Sequence, residues 1–168
     1  IDAKEVGVDE EWFAKDLSDV VILPGTTDSN QKGFKNTDTT TMHLNRVYKY
    51  EGPAWYQKNV VIPETWENKN IQLQLERTKS TKIWVDKQYA GDSHLMQSAQ
   101  NYNLSDFLSP GEHTITICVD NNLRLTPFGN VHIYSDDTQT NWNGIIGDIQ
   151  LTASSKTYIS DLQVYPDI

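Results

Sequence analysis

The stretch Ile71-Gln72-Leu73-Gln74-Leu75-Glu76 alternates apolar and polar residues without a break. Successive side chains of a strand point to opposite faces, so this alternation predicts a strand with one face in a core and the other in water. The same period of two recurs in residues 55–62, 82–86 and 113–120. The chain is therefore predicted to consist mainly of β-strands.

Shorter apolar runs predict further strands at residues 20–23, 46–50, 145–151 and 157–165, while the polar residues 26–41 are typical of a long loop. Turn signals recur between them, at residues 63–70, 87–91, 109–111 and 121–122, and only residues 9–17 and 105–108 suit a helical turn. Many short strands with irregular connections and few helices favour an all-β jelly-roll sandwich.

The length of 168 residues indicates one domain that is large enough to bury a core without disulfides. We assign the jelly-roll core to residues 19–155. Residues 1–18 are predicted to pack on the sandwich as an N-terminal segment, anchored by Trp12 and Phe13. The single Cys118 lies in an alternating run, which favours a small core residue over a reactive thiol.

The formal net charge is -9, from 23 acidic and 14 basic residues. This balance argues against nucleic acid and anionic membranes as partners, because both attract basic surfaces. No apolar stretch approaches the eighteen or so residues of a membrane span, so none is expected. A neutral sugar is compatible with this charge.

A ten-residue stretch, Thr138-Gln139-Thr140-Asn141-Trp142-Asn143-Gly144-Ile145-Ile146-Gly147, combines a large aromatic ring with short amides and two glycines. A flat ring covers the C–H face of a sugar, and amides bond its hydroxyls in fixed directions. The same residues also suit a tight turn that leads into a strand. In that alternative, Trp142 closes one end of the sandwich.

Together with this stretch, residues 50–58 (Tyr-Glu-Gly-Pro-Ala-Trp-Tyr-Gln-Lys), 75–79 (Leu-Glu-Arg-Thr-Lys) and 84–86 (Trp-Val-Asp) resemble the N-terminal sugar-binding domain of family 2 glycoside hydrolases. That family includes β-galactosidases and β-glucuronidases. The resemblance extends over about residues 23–151. It implies a galactose-binding-type jelly roll, followed in the parent enzyme by an immunoglobulin-like domain and a catalytic barrel, and residues 156–168 look like the strand that leads toward them.

The resemblance also implies sugar-contacting residues. Family members often carry an acidic residue six positions before the glycine that matches Gly144. That position is Thr138 here, and the acid is its neighbour Asp137. The candidate carbohydrate-binding residues are Asp137, Thr138, Asn141, Trp142 and Asn143.

Glycoside hydrolysis requires two carboxyl groups about 5–10 Å apart. The adjacent Asp136 and Asp137 would point apart in an extended segment, and no other spacing forces a pair, so no catalytic pair is expected in this chain. The four histidines share no metal-ligand spacing. No cofactor is expected. A structural Ca²⁺ is possible in such folds but is not indicated, although oxygens are available from Asp19, Asp120, Asn121, Asn122 and Asp137.

Two functions are compatible with these features. The first is a non-catalytic sugar-binding or scaffold module of a β-glycosidase, which lends loop 138–143 to the active-site rim and has carbohydrate and the two further domains as partners. We favour a scaffold role within it, since a free-standing sugar site generally needs two or more exposed aromatics. The alternative is a stand-alone adhesion or protein-interaction module. The resemblance and the missing initiating Met suggest export to a bacterial periplasm or cell surface.

Overall fold

The computed structural model describes residues 1–125, 141–159 and 161–166. In chain order the strands are β1 (Gly25–Thr26), β2 (Phe34–Lys35), β3 (Tyr48–Lys49), β4 (Pro53–Ile62), β5 (Asn70–Leu75), β6 (Ser80–Val85), β7 (Gln88–Ser93), β8 (Gln100–Asn103), β9 (Gly111–Asp120), β10 (Gly144–Ile145) and β11 (Ile149–Ser154). Short 3-10 turns occupy Trp12–Ala14, Glu64–Trp66 and Leu123–Leu125.

Two antiparallel sheets form the sandwich. One has four strands in the order β4-β9-β6-β7, and the other has three in the order β11-β5-β8. The longest pairing joins β4 to β9, in register from Pro53 opposite Asp120 to Ile62 opposite Gly111. Two small ribbons, β1-β10 and β2-β3, complete the architecture. The predicted all-β sandwich is confirmed.

The main core fills the space between the two sheets. In β5, Ile71, Leu73 and Leu75 are almost fully buried, as the alternation predicts. They pack in one cluster with inward-facing side chains from β4, β6, β8 and β9, which include Ala54, Tyr56, Ile83, Val85, Tyr102, Ile117 and Val119. Burial of this apolar surface is the main force that holds the sheets together.

An aromatic cluster lies on the opposite face of the four-stranded sheet. Trp55, Trp84 and Cys118 are buried there, and Trp12 and Phe13 of the N-terminal segment pack over them. The Phe13 ring stacks on Trp84 at a centroid distance of 5.1 Å. Cys118 is a buried core residue, as its alternating run predicted, and burial raises the pKa of its thiol to about 12.

Asp2 fastens the start of this segment to the sandwich. Its carboxylate accepts hydrogen bonds from the backbone of Val6 and Gly7 and from the Trp55 indole, at 3.0, 2.7 and 3.2 Å. Its own N–H donates to Tyr50 and to the Pro53 carbonyl. A buried carboxylate is stable when such donors replace its water.

The strand predicted at residues 20–23 is wrong. Val21 and Leu23 pack on the core, but Val20 and Ile22 are 80% and 78% exposed. The Asn30 side chain takes the place of a neighbouring strand, because it accepts a hydrogen bond from the Ile22 N–H and donates one to the Ile22 carbonyl.

The structure differs from the sequence predictions in four other places. Residues 157–165 form no strand in their described part, and their apolar side chains are exposed, with Ile159 and Tyr165 above 80%. The predicted turn at residues 87–91 belongs largely to the edge strand β7, and the polar strand β8 was not predicted. The loop predicted at residues 26–41 contains β2 and the end of β1.

No helix in the described ranges is long and apolar enough to cross a membrane.

Candidate functional site

The predicted sugar-binding loop reaches the sandwich at residues 141–147, beside the end of β9 and the start of β6. Asp137 and Thr138 lie outside the described residues. Asn141, Trp142 and Asn143 lie inside them, and the structure brings these three together with Asn121, Lys79 and Thr78.

Asn143 is fully buried, and its amide joins separate parts of the core. The Nδ2 group donates to the carbonyls of Gly52 and Val119, at 2.8 and 2.9 Å, and to Oδ1 of Asn121 at 3.1 Å. Its Oδ1 accepts a hydrogen bond from the Tyr56 hydroxyl at 3.3 Å. In this chain the amide of Asn143 therefore holds the loop against the ends of β4 and β9.

Asn141 makes a reciprocal pair with Asn121. The Asn141 amide donates to the Asn121 carbonyl at 2.8 Å, and the Asn121 amide donates to the Asn141 carbonyl at 3.1 Å. Asn121 also donates to the Tyr50 carbonyl and accepts from the Gly52 N–H. Sequence reasoning assigned Asn121 only to a turn or a calcium ligand and missed this central role.

Gly144 allows the loop to approach β1 closely. Its φ is +134°, and a Cβ there would lie 2.3 Å from the Gly25 carbonyl oxygen. Glycine alone tolerates both conditions. The Thr78 hydroxyl donates to the Gly144 carbonyl at 2.9 Å, which fixes the backbone directly after the predicted site residues.

Trp142 lies between the two buried asparagines and is itself only half-buried. The ammonium group of Lys79 lies 4.5 Å from the centre of its ring, a distance typical of a cation–π contact. Lys79 is 6% exposed. Burial, together with a smaller effect of the positive charge of Arg46, lowers the pKa of Lys79 to about 8.

Sequence reasoning missed Lys79 as a neighbour of the ring. The residue stands in the 75–79 run that carries the family resemblance, and that was the available signal. Nothing in the local pattern indicated that this lysine is buried, because its burial depends on the distant Trp142.

The cavity beside these residues is small. It has a volume of about 10 Å³ and is lined by Lys79, Ser80, His94, Asp120, Asn121 and Asn141, among others. That volume holds roughly one water molecule. The described residues at this end therefore do not by themselves enclose a sugar ring.

A larger cavity, of about 590 Å³, lies at the side of the core, and residues 21–23 form part of its wall. Its walls are mostly apolar and include Leu73, Ile115 and Leu151, and among them Gln57 and Lys58 are the polar side chains with an amide or a charge. A sugar site requires several polar groups directed at hydroxyls, so this cavity does not fit one. Among the described residues, no group of three or more His, Cys, Asp or Glu side chains is arranged to hold a metal ion.

The comparisons with known proteins agree with this architecture. The family model described as glycosyl hydrolases family 2, sugar binding domain, matches residues 1–155. A β-glucuronidase of an uncultured Clostridium species is similar in fold, with 20% identity and a TM-score of 0.67 over 89% of this chain and 26% of that one.

Two Bacteroides uniformis structures are also similar. β-Glucuronidase 2, covalently bound to cyclophellitol-6-carboxylate aziridine, is 28% identical, with a TM-score of 0.63 over 84% of this chain and 15% of that one. A β-glucuronidase is 30% identical, with a TM-score of 0.53 over 63% of this chain and 12% of that one. The chain thus spans about a quarter or less of the length of these enzymes. By the match over residues 1–155, the chain belongs to the sugar-binding domain family of glycosyl hydrolases family 2.

Proposed function

We propose that this chain is the N-terminal scaffold module of a longer β-glycosidase and lends loop 138–143 to the rim of the active site. The observation that carries the proposal is the placement of Trp142. Its ring is half-buried and rests on Lys79, while the residues on either side are held in the core. A ring fixed in this way is pre-organised for contact with a sugar.

In this proposal each residue of the loop has a different role. The buried amides of Asn141 and Asn143 do not contact the sugar. They bond to backbone carbonyls and so maintain the shape of the loop. Trp142 supplies the apolar contact. Asp137 and Thr138 are proposed to supply hydrogen bonds to hydroxyls, as the family resemblance implies.

The size of the neighbouring cavity supports a scaffold over a free-standing sugar site. The cavity that the described residues enclose here, of about 10 Å³, does not hold a sugar ring, which supports a pocket that other parts of the parent polypeptide complete. We propose that an immunoglobulin-like domain and a catalytic barrel of the same polypeptide supply those parts. The coverage of 12–26% of the similar enzymes leaves ample length for both domains.

The similar structures are named as β-glucuronidases, so we propose β-glucuronides as the substrate class of the parent enzyme. Hydrolysis of their O-glycosidic bond would use carboxylates of the barrel. We further propose that the parent is exported to a bacterial periplasm or cell surface. Cell fractionation of the source organism tests that location.

The change Trp142→Ala in the full-length parent tests the rim assignment. We expect kcat/KM for a β-glucuronide to fall about tenfold or more, because sugar positioning is lost. The melting temperature of the 168-residue chain should change little. The control is Phe34→Ala, which removes a 62% exposed aromatic from β2.

An unchanged kcat/KM would contradict the rim assignment. A loss of about 3–5 kcal/mol of stability, which is typical of a truncated core aromatic, would also contradict it and would assign Trp142 to packing.

A further inference from the structure

The outward face of the three-stranded sheet carries a regular set of uncharged polar side chains. Gln72 of β5 stands opposite Asn103 of β8 and Thr152 of β11. One row further along, Gln74 stands opposite Asn101 and Gln150. We call these six residues the amide face.

Burial of the alternate residues shows that the amide face points away from the core. Ile71, Leu73 and Leu75 alternate with the glutamines of β5 and are at most 3% exposed. Gln100 and Tyr102 are the buried alternates of β8. In β11 the two residues of the face are exposed, while Leu151 packs on the core.

Sheet geometry sets the size of the amide face. Residues on one face of a strand repeat about every 7 Å, and neighbouring strands lie about 4.8 Å apart. The six side chains therefore cover a grid of roughly 7 by 10 Å before their own reach is added. A flat surface of this size suits an extended chain laid across the strands.

The chemistry of the face is uniform. Five of its six members are amides and the sixth is a hydroxyl, although 22% of the residues of the chain are charged. Gln74 donates to Asn101 at 3.1 Å within the face. Each amide has two N–H donors and two acceptor lone pairs, so this bond leaves further donors and acceptors of both residues for an outside partner.

An aromatic ring stands beside this surface. Tyr158 is 48% exposed, and its hydroxyl accepts a hydrogen bond from Gln72 at 3.4 Å. The bond places the ring next to the middle strand of the sheet. Aromatic rings cover the apolar C–H faces of sugars while amides bond the hydroxyls, so the two kinds of group complement each other.

The charge around the face selects against anionic partners. Asp148 lies at one end, where its carboxylate accepts a hydrogen bond from Gln150 at 3.2 Å. The chain as a whole carries a formal charge of -9. A polyanion would be repelled, whereas an uncharged polyhydroxyl chain would not.

We propose that the amide face binds a neutral polysaccharide and thereby attaches the protein to that polysaccharide. This site is separate from loop 138–143 and does not depend on the function proposed for that loop. Affinity would come from many weak hydrogen bonds and from the Tyr158 ring. Binding is therefore expected to need several consecutive sugar units and to leave single monosaccharides almost unbound.

Affinity electrophoresis of the 168-residue chain tests this proposal. The gels contain a neutral galactan, xylan or mixed-linkage β-glucan, with polygalacturonate as the anionic probe. We expect at least one neutral polysaccharide to retard the chain and polygalacturonate to leave it unretarded. The triple variant Gln72→Ala, Gln74→Ala and Tyr158→Ala should weaken the apparent affinity about tenfold or more, at roughly 1.4 kcal/mol per tenfold.

Two matched variants separate this site from others. Asn59→Ala alters an exposed amide of the other sheet, and Phe34→Ala removes an exposed aromatic from β2, so both should keep the retardation. The single variants Asn101→Ala and Gln150→Ala change exposed positions and are expected to fold normally. Each should reduce the retardation measurably.

Absence of retardation in every neutral polysaccharide would overturn the proposal. Equal retardation of the triple variant, loss of binding in Asn59→Ala or Phe34→Ala, or preference for polygalacturonate would each do the same. None of these results bears on the rim assignment, which is judged by kcat/KM of the parent enzyme.

Discussion

Asn143 joins the loop to two strands through one side chain. Its amide donates to the carbonyls of Gly52, just before β4, and Val119, near the end of β9. The sequence correctly located this loop as the informative part of the chain, because the Trp, Asn and Gly pattern is unusual. It did not show which amides face inward, since that depends on carbonyls about 25 and 90 positions away.

The variant Asn143→Ala tests whether the Asn143 amide holds the loop against β4 and β9. It leaves two buried carbonyls without their amide donor, which should lower the free energy of unfolding by about 2–4 kcal/mol. Urea denaturation of the 168-residue chain measures the change. The control Asn59→Ala removes an exposed amide and should stay within about 0.5 kcal/mol of wild type. If the two variants were equally stable, the Asn143 amide would not be what holds the loop against β4 and β9.

Among the elements, strands with a clear period of two were predicted well, and strands without it were not. In β5 the alternation reports burial on one face, whereas β4, β6 and β9 also bury Trp55, Trp84 and Cys118 on the opposite face. These four strands supply three strands of the four-stranded sheet and the middle strand of the other sheet. β8 is polar in sequence, yet it forms a strand with Gln100 facing the core. Gln100 can be buried there because its side-chain amide donates hydrogen bonds to the carbonyls of Lys79 and Leu95. Residues 20–23 are apolar in sequence but form no strand. The Asn30 side chain bonds to the N–H and the carbonyl of Ile22, in place of a neighbouring strand.

The N-terminal segment has no room for a single added carbon atom at Gly7. A Cβ at Gly7 would lie 2.5 Å from Nε1 of Trp55 and 2.6 Å from Oδ2 of Asp2. Gly7→Ala should therefore separate the carboxylate of Asp2 from the indole and loosen Trp12 and Phe13 from the aromatic cluster.

We expect Gly7→Ala to lower the free energy of unfolding by about 1–3 kcal/mol, as overpacking does. Tryptophan fluorescence of the folded state should shift to longer wavelength, because water reaches the cluster. Val8→Ala is the control, since this neighbouring side chain is 46% exposed. Wild-type stability and an unshifted spectrum in Gly7→Ala would show that the segment adapts without losing its anchor.

For the whole molecule, one buried lysine makes stability depend on pH. Burial, with a further contribution from Arg46, lowers the pKa of Lys79 from 10.5 to about 8 in the folded state. Below about pH 8 the folded and unfolded states both hold this proton, and the cost of burying the charge is constant. Between about pH 8 and 10.5 the folded state loses the proton while the unfolded state keeps it, so the unfolded state binds more protons and stability rises with pH.

The variant Lys79→Met removes this dependence while keeping an unbranched side chain over Trp142. Relative to the variant, the wild-type chain should gain about 1–3 kcal/mol of unfolding free energy between about pH 7.5 and about pH 10. Urea denaturation of both proteins at each pH measures the difference, in which the tyrosine and Cys118 titrations cancel because both proteins contain them. Lys58→Met, which removes an exposed lysine, controls for net charge. A wild-type minus Lys79→Met difference that stays constant across this range would mean that the ammonium group over Trp142 is as well solvated in the fold as in the unfolded chain.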